Sequence, residues 1–282
     1  MTSSGNNIFF RLITGSLLIG MIIGVLFFCP LWMFGLVTMF FTGAGLYEFF
    51  QLLEKKGIII DRWIGLGIGL LIPFSILWRF QSTKGWELFF MMAAFFILFL
   101  LQLRRRDSSH TIVGISTALF GIFYVSWCFS FLIKLRFISA VSGDGVVTDG
   151  RWLVALLLLS TKGGDIGAYA VGSLIGRHAL IPRISPSKTW EGMFGGLLFS
   201  IGGALVLKPW LAAIPAWHLA VLGVLLGIGG QLGDLSESMI KRDCQVKDSG
   251  QLLPGMGGVL DVLDSLLFAS PLCYFYIQRF LA

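Results

Sequence analysis

Apolar positions in this chain come in runs about 20 residues long, separated by short polar breaks. A run of about 20 apolar residues is what one α-helix needs to cross the hydrocarbon core of a bilayer, so each run predicts one span. Nine such runs can be drawn, over about 9–28, 31–50, 63–80, 86–103, 111–133, 152–174, 190–207, 216–238 and 259–280. In lipid a spanning segment must satisfy its own backbone hydrogen bonds. The expected fold class is therefore all-α, a polytopic transmembrane helical bundle of about nine spans. The first run follows a single cation, Arg11, and ends in Phe27-Phe28-Cys29-Pro30 rather than in small residues, so it reads as a retained span and not as a cleaved signal.

Composition removes the soluble alternatives. Of 282 residues, 56% are hydrophobic and 13% charged, with a mean hydropathy of +0.86. A soluble domain carries roughly 45–50% apolar and about 25% charged residues. A disordered tail, a disulfide scaffold and an ordinary soluble domain are excluded. The four cysteines show no C-x-x-C spacing, which argues against a zinc site and a disulfide framework. The formal charge of +6 matters through its placement. With a cytoplasmic N-terminus, 13 of the 21 Lys and Arg fall on the cytoplasmic side and 7 on the other, with Lys162 inside a span. The positive-inside rule then places the N-terminus in the cytoplasm and the C-terminus outside it.

The halves differ in kind. Residues 1–150 hold spans rich in Phe and Leu, nearly free of buried charge, and read as scaffold. Residues 151–282 carry Lys162, Asp165, Glu191, Asp234, Glu237, Asp261 and Asp264 within or beside apolar sequence. Each such charge costs about 2.5–3.5 kcal/mol at a helix centre on insertion scales, which makes this half the expected home of a cytoplasm-facing site.

Four groupings and one intramembrane pair are candidates for chemistry. Asp261 and Asp264 share a helical face with Ser265. Two like charges there suit a divalent cation such as magnesium, and equally a solvated helix start that favours acids at its positive end. Asp234, Ser238 and Lys241 share another face, with Arg242 beside them. That layout suits a metal and phosphate pair, and also a juxtamembrane basic stop. Between these elements runs a glycine-rich polar segment holding Lys247, Asp248, Ser249 and Gly250, then Leu253-Pro254-Gly255-Met256-Gly257-Gly258, whose backbone N–H groups can approach an anion. Upstream, Arg183-Ile184-Ser185-Pro186-Ser187-Lys188-Thr189-Trp190-Glu191-Gly192 supplies cations and hydroxyls on the same expected side. Lys162 and Asp165 read equally as a neutralised structural pair or as ligands. His110, His178 and His218 form no cluster and are expected to be solvated or interfacial.

Ser238-Met239-Ile240-Lys241-Arg242, Lys247-Asp248-Ser249-Gly250, Leu253-Pro254-Gly255, Gly257-Gly258, Asp261 and Asp264 together resemble the signature of the phosphatidate cytidylyltransferases, or CDP-diglyceride synthases. Ser185 to Gly192 and Asp165-Ile166-Gly167-Ala168-Tyr169 resemble two further family segments in the same order. The resemblance implies a multi-pass enzyme of a bacterial-type inner membrane, homodimeric, that joins CTP to phosphatidate, giving CDP-diacylglycerol and pyrophosphate. Membrane lipid is its environment and nucleic acid has no part. It implies magnesium, with a second cation left open, held by Asp234, Ser238, Asp261 and Asp264. Asp234, Asp261, Asp264 and Lys241 are the implied catalytic residues; Asp165, Ser185, Lys188, Thr189, Arg242, Lys247 and Asp248 are the implied substrate contacts. Two positions depart from the family pattern: Met256 stands where histidine is usual and Val262 where arginine is usual. Those departures keep open an enzyme acting on another lipid phosphate or a polyprenol. The intramembrane charges keep open a transporter, although the chain lacks the internal repeat common in transporters.

Overall fold

The structure, a computed structural model, describes residues 3–58, 60–78, 85–104, 110–141 and 147–281, with backbone alone at 3–12 and 139–148. Of the cations counted for orientation, Arg79, Lys84, Arg105 and Arg106 lie outside the described residues, as does the side chain of Arg11. Among the described residues there are nine continuous helices: α1 Ser3–Phe28, α2 Leu31–Lys55, α3 Arg62–Leu77, α4 Trp86–Leu103, α5 Thr111–Phe137, α6 Gly150–Ile175, α7 Trp190–Val206, α8 Ala216–Asp243 and α9 Val259–Phe280. Within α5, Ile122–Trp127 is wound as a π-helix.

The all-α expectation holds, and two differences qualify it. Six helices (α2, α4, α5, α6, α8 and α9) are long and apolar enough to cross a membrane, whereas the apolar stretches Ile13–Phe28, Arg62–Leu77 and Trp190–Val206 are shorter. The 16 residues of α3 rise only about 24 Å, less than the roughly 30 Å hydrocarbon core. Two small antiparallel hairpins also occupy polar connections. Strand β1 (Ser139–Val141) pairs with β2 (Val147–Asp149), Ser139 opposite Asp149. Strand β3 (Ala179–Ile181) pairs with β4 (Ser185–Thr189), Ala179 opposite Thr189. Such short pairings have too few residues to leave a periodic signal.

The chain divides into two compact units that interleave along the sequence. The first comprises Met1–Ile133 and Asp243–Leu263, the second Lys134–Arg242 and Asp264–Ala282.

In the first unit, α2 and α3 pack with the π-helical part of α5 around Leu46, Phe49, Phe50, Ile72 and Ile122, all fully buried. Glycines make this possible. A Cβ at Gly65 would stand 2.7 Å from the Phe50 ring, and one at Gly121 would stand 2.5 Å from the Phe49 ring. In contrast, only 11% of the apolar window of α4 is buried, and Leu88, Phe96, Leu100 and Leu103 point outward. An apolar outer face of that size suits lipid as its solvent.

In the second unit, α6 and α7 form the most extensive helix pair, and small residues bring backbones together. The buried Ser200 hydroxyl donates to the Ser160 carbonyl at 2.7 Å, across a crossing where a Cβ at Gly164 would be 2.5 Å from Ser200 Oγ. A Cβ at Gly223 would meet Ile201 Cα at 2.6 Å, and one at Gly233 would meet the Asp264 carbonyl oxygen at 2.2 Å. Asp149 caps α6, accepting from Arg151 N at 2.8 Å and from its guanidinium Nε at 2.7 Å, with Arg136 at 3.4 Å. Partial burial alone would lift this carboxyl; the Arg151 hydrogen bonds and the charges of Arg151 and Arg136 hold it below its ordinary value. His218, expected at the interface, is buried instead, with Nδ1 2.7 Å from the Tyr276 hydroxyl.

Candidate functional site

The second unit contains a cavity of about 450 Å³ lined by α6, by strand β4 with the first turn of α7, and by α8. Four expected site residues meet there: Asp165 from α6, Lys188 and Thr189 from β4, and Asp234 from α8. Lys188 Nζ pairs with Asp234 Oδ2 at 2.7 Å. Thr189 Oγ1 has a structural task, accepting from Gly192 N at 3.1 Å as the N-cap of α7. Gln231 also lines the cavity and donates to the Met193 carbonyl at 3.0 Å, a residue the sequence reading had not singled out.

Behind this wall Lys162 Nζ donates to Asp165 Oδ2 at 3.1 Å and to Ser265 Oγ at 2.7 Å. Its charge acts on Asp264 and Asp234 as well as Asp165. Lys162 and Asp165 are thus paired, as the structural reading expects, and Lys162 also reaches α9 through Ser265. Asp264 is buried, with Oδ1 accepting from Ser265 N.

Farther along α8, Lys241 pairs with the fully buried Glu237 one turn earlier. Arg242 reaches the β3–β4 turn, its Nε donating to the Ile184 carbonyl at 3.3 Å. Ser238 is half-buried on the same helix, and Ser185 opens β4 opposite Ile181. His178, expected to be solvated, is exposed and its Nδ1 lies 2.6 Å from Glu191 Oε1.

The first unit holds Lys247, Asp248 and Asp261. Lys247 and Asp248 are exposed and line an open polar groove with Gln51, Glu54 and Lys55 at the end of α2. Asp261 stands in the first turn of α9, where its Oδ2 accepts from Gly258 N at 2.8 Å, Ser249 N at 3.0 Å and Ser249 Oγ at 2.8 Å. The bond to Gly258 N is the return half of a capping box, satisfying a donor that the helix start leaves free. Ser249 Oγ also lies 3.2 Å from Glu48 Oε2, and Leu260 N donates to that same oxygen at 2.8 Å. Glu48 is 1% exposed. It is the exception to a half whose spans read as nearly free of buried charge, and an ionisable residue inside an apolar run is itself the signal for it. Met256 is exposed on a tight turn in which Gly257 N donates to Leu253 O at 3.1 Å, and Val262 is half-buried on α9.

The donor set is one of hard oxygens, which suits magnesium or calcium rather than a thiophilic metal. Among the described residues no three or more Asp, Glu, His or Cys side chains gather into a cage. A divalent cation here would take one or two carboxylates and complete its shell on substrate phosphates, the coordination that magnesium favours.

The relatives of the chain bear on the chemistry. One named phosphatidate cytidylyltransferase, from Synechocystis sp., is 36% identical over 274 residues, covering 87% of this chain and 88% of the relative. Another of that name, from Bacillus subtilis, is 34% identical and covers 86% of this chain and 89% of the relative. An uncharacterized Escherichia coli protein, YnbB, is 34% identical over 84% of this chain and 78% of its own length. The likeness thus reaches well beyond the motif segments, into the apolar helices of the first unit. The pattern of the cytidylyltransferase family matches residues 9–280, through both units, and the chain belongs to that family.

Proposed function

We propose that this protein is a phosphatidate cytidylyltransferase, transferring CMP from CTP to phosphatidate to give CDP-diacylglycerol and pyrophosphate. The observation that carries the reading is the cavity of the second unit, where three separate motif segments deliver Asp165, Lys188, Thr189 and Asp234 to one wall. A phosphatidate oxygen attacks the α-phosphorus of CTP; a new P–O bond forms, the α–β anhydride bond breaks, and pyrophosphate carries away the electron pair. A phosphate monoester is already anionic near neutral pH, so the reaction needs positioning and charge stabilisation more than a base.

The residues divide that work. Lys188, Lys241, Arg242 and Lys247 receive phosphate oxygens, and Ser185 and Thr189 add hydroxyls beside them. Asp234 holds the Lys188 ammonium at 2.7 Å and so fixes where it can meet a phosphate. Asp165 is paired with Lys162 at 3.1 Å, so its charge at the cavity wall is compensated from behind. Asp234, Ser238, Asp261 and Asp264 are the oxygen donors proposed for magnesium, which when bound neutralises charge developing on the phosphates. The acyl chains remain in the bilayer, and the excess of cations on one side supports a cytoplasmic N-terminus and CTP-binding side.

The test is pyrophosphate release by the purified protein in detergent, with CTP, phosphatidate and magnesium omitted in turn and a panel of other lipid phosphates alongside. Release that requires all three supports the reading. Release with another lipid phosphate alone would move the acceptor, and none from folded protein would overturn the proposal.

A further inference from the structure

A carboxylate outside the family motifs lies beneath the motif loop of the first unit. Glu48, in the last third of α2, is fully buried; its Oε2 accepts from Leu260 N at 2.8 Å and lies 3.2 Å from Ser249 Oγ, whose single proton it shares with Asp261 Oδ2, and both partners are more than 200 positions away. The Leu260 bond is a helix-start donor, so Glu48 also places its charge at the positive end of α9. The loop has been fitted to this carboxylate. A Cβ at Gly250 would stand 2.2 Å from Glu48 Oε1, and one at Gly258 would stand 2.5 Å from Oε2 and 2.1 Å from Ser249 Oγ. Only residues without a Cβ let the chain close over Glu48 from both sides. Oε1 is buried with no hydrogen-bond partner among the described residues, a cost that a purely structural core would avoid with an apolar side chain.

The same serine that meets Glu48 also fixes Asp261, through Ser249 N at 3.0 Å and Ser249 Oγ at 2.8 Å, and Gly258 N completes the set. Ser249 thus touches both carboxylates, and Gly258 packs closely against Glu48 while its N–H donates to Asp261. We propose that Glu48 is a positioning residue for the cytidylyl transfer: it anchors Ser249, Gly258 and the first turn of α9 and through them sets the orientation of the Asp261 carboxylate. The inference rests on the proposed role of Asp261 and adds a residue that the motifs do not contain.

The test compares the full-length wild type with Glu48→Gln and Gly250→Ala in detergent. The first removes the charge and keeps the size; the second keeps the charge and pushes the loop off the carboxylate. Backbone hydrogen exchange over 249–261 is read against 190–206 as an internal reference, together with kcat and KM for each substrate. In both variants the 249–261 amides should exchange faster while 190–206 stays as in the wild type. The kcat should fall roughly 10–100-fold, the usual effect of removing a group that orients a ligand, with the KM for phosphatidate unchanged. Unchanged exchange over 249–261, a loosened loop with wild-type kcat, or a fall in kcat matched by faster exchange throughout the chain would each overturn the proposal. A wild type that releases no pyrophosphate would defeat the functional reading alone, since the exchange comparison still decides whether Glu48 holds the loop.

Discussion

The two units differ in what their glycines admit. In the first, glycines open notches for side chains: Gly65 for Phe50, Gly69 for Leu46, Gly121 for Phe49. The second has such notches too, Gly167 for Phe199 and Gly195 for Val171, but there other glycines bring main chain to main chain: Gly223 against Ile201 Cα, Gly233 against the Asp264 carbonyl, Gly192 against the Ala168 carbonyl at 2.8 Å. A ring can rotate away from an intruding methyl group, whereas two helix backbones cannot give without moving everything they carry. The acids follow the same division. Asp261 and Glu48 are held by hydroxyl and backbone N–H donors, but Asp165 and Asp234 are held by the ammonium groups of Lys162 and Lys188. The first arrangement fixes a loop; the second keeps charge at a cavity wall with its compensation already in place.

The sharpest way to break this contrast is to remove one acid from each unit. Asp264→Asn and Asp261→Asn should each abolish pyrophosphate release without loss of folded protein, as judged by size-exclusion profile. Wild-type turnover in the Asp261 variant would confine the chemistry to the second unit. Lys188→Met, which strips Asp234 of its partner, should lower kcat/KM for CTP at least about tenfold, the worth of one charge-assisted hydrogen bond. Gly233→Ala should cost about 3 kcal/mol and Gly65→Ala about 1 kcal/mol or less, the two ends of the range for overpacking, in thermal unfolding in detergent. Equal costs would erase the distinction between backbone and side-chain notches. The smallest effect belongs to Asp149→Ala, at about 1 kcal/mol for a lost helix cap with catalysis untouched. Because the folded Asp149 carboxyl lies below its ordinary value, this contribution is present at neutral pH and fades as the pH falls through the acid range toward the folded value. A difference between wild type and variant that grew on acidification would refute the assignment.

The helices were legible in the sequence because a spanning helix is announced by length alone. The run read as 86–103 is α4 Trp86–Leu103, and 259–280 is α9 Val259–Phe280. Where polar turns follow an apolar run, the helix continues past it, as α2 does to Lys55 and α8 to Asp243, because the helical hydrogen-bond ladder does not stop where lipid does. The motif residues were legible as a set, but their partners were not. Nothing local in the sequence says that Lys188 meets Asp234, that Thr189 works as a cap, or that Lys241 lies against Glu237. Glu48 was hidden for a different reason. One acid among Tyr47, Phe49 and Phe50 leaves the run apolar on average, and its partners lie some 200 residues downstream.

The π-helical stretch of α5 bears on how this protein can tolerate change in length. A π turn is an α-helix with one residue too many, kept at the site of the extra residue instead of being passed along the chain. Each residue of an α-helix turns the next by about 100°, so losing one codon in a regular part of α5 would swing every later residue by that angle. Losing one between Ile122 and Trp127 would instead return the stretch to α-winding and leave Phe131 and Ile133, both without exposed surface, in their packing. A single deletion within Ile122–Trp127 should therefore be far less harmful than the same deletion between Cys128 and Phe131.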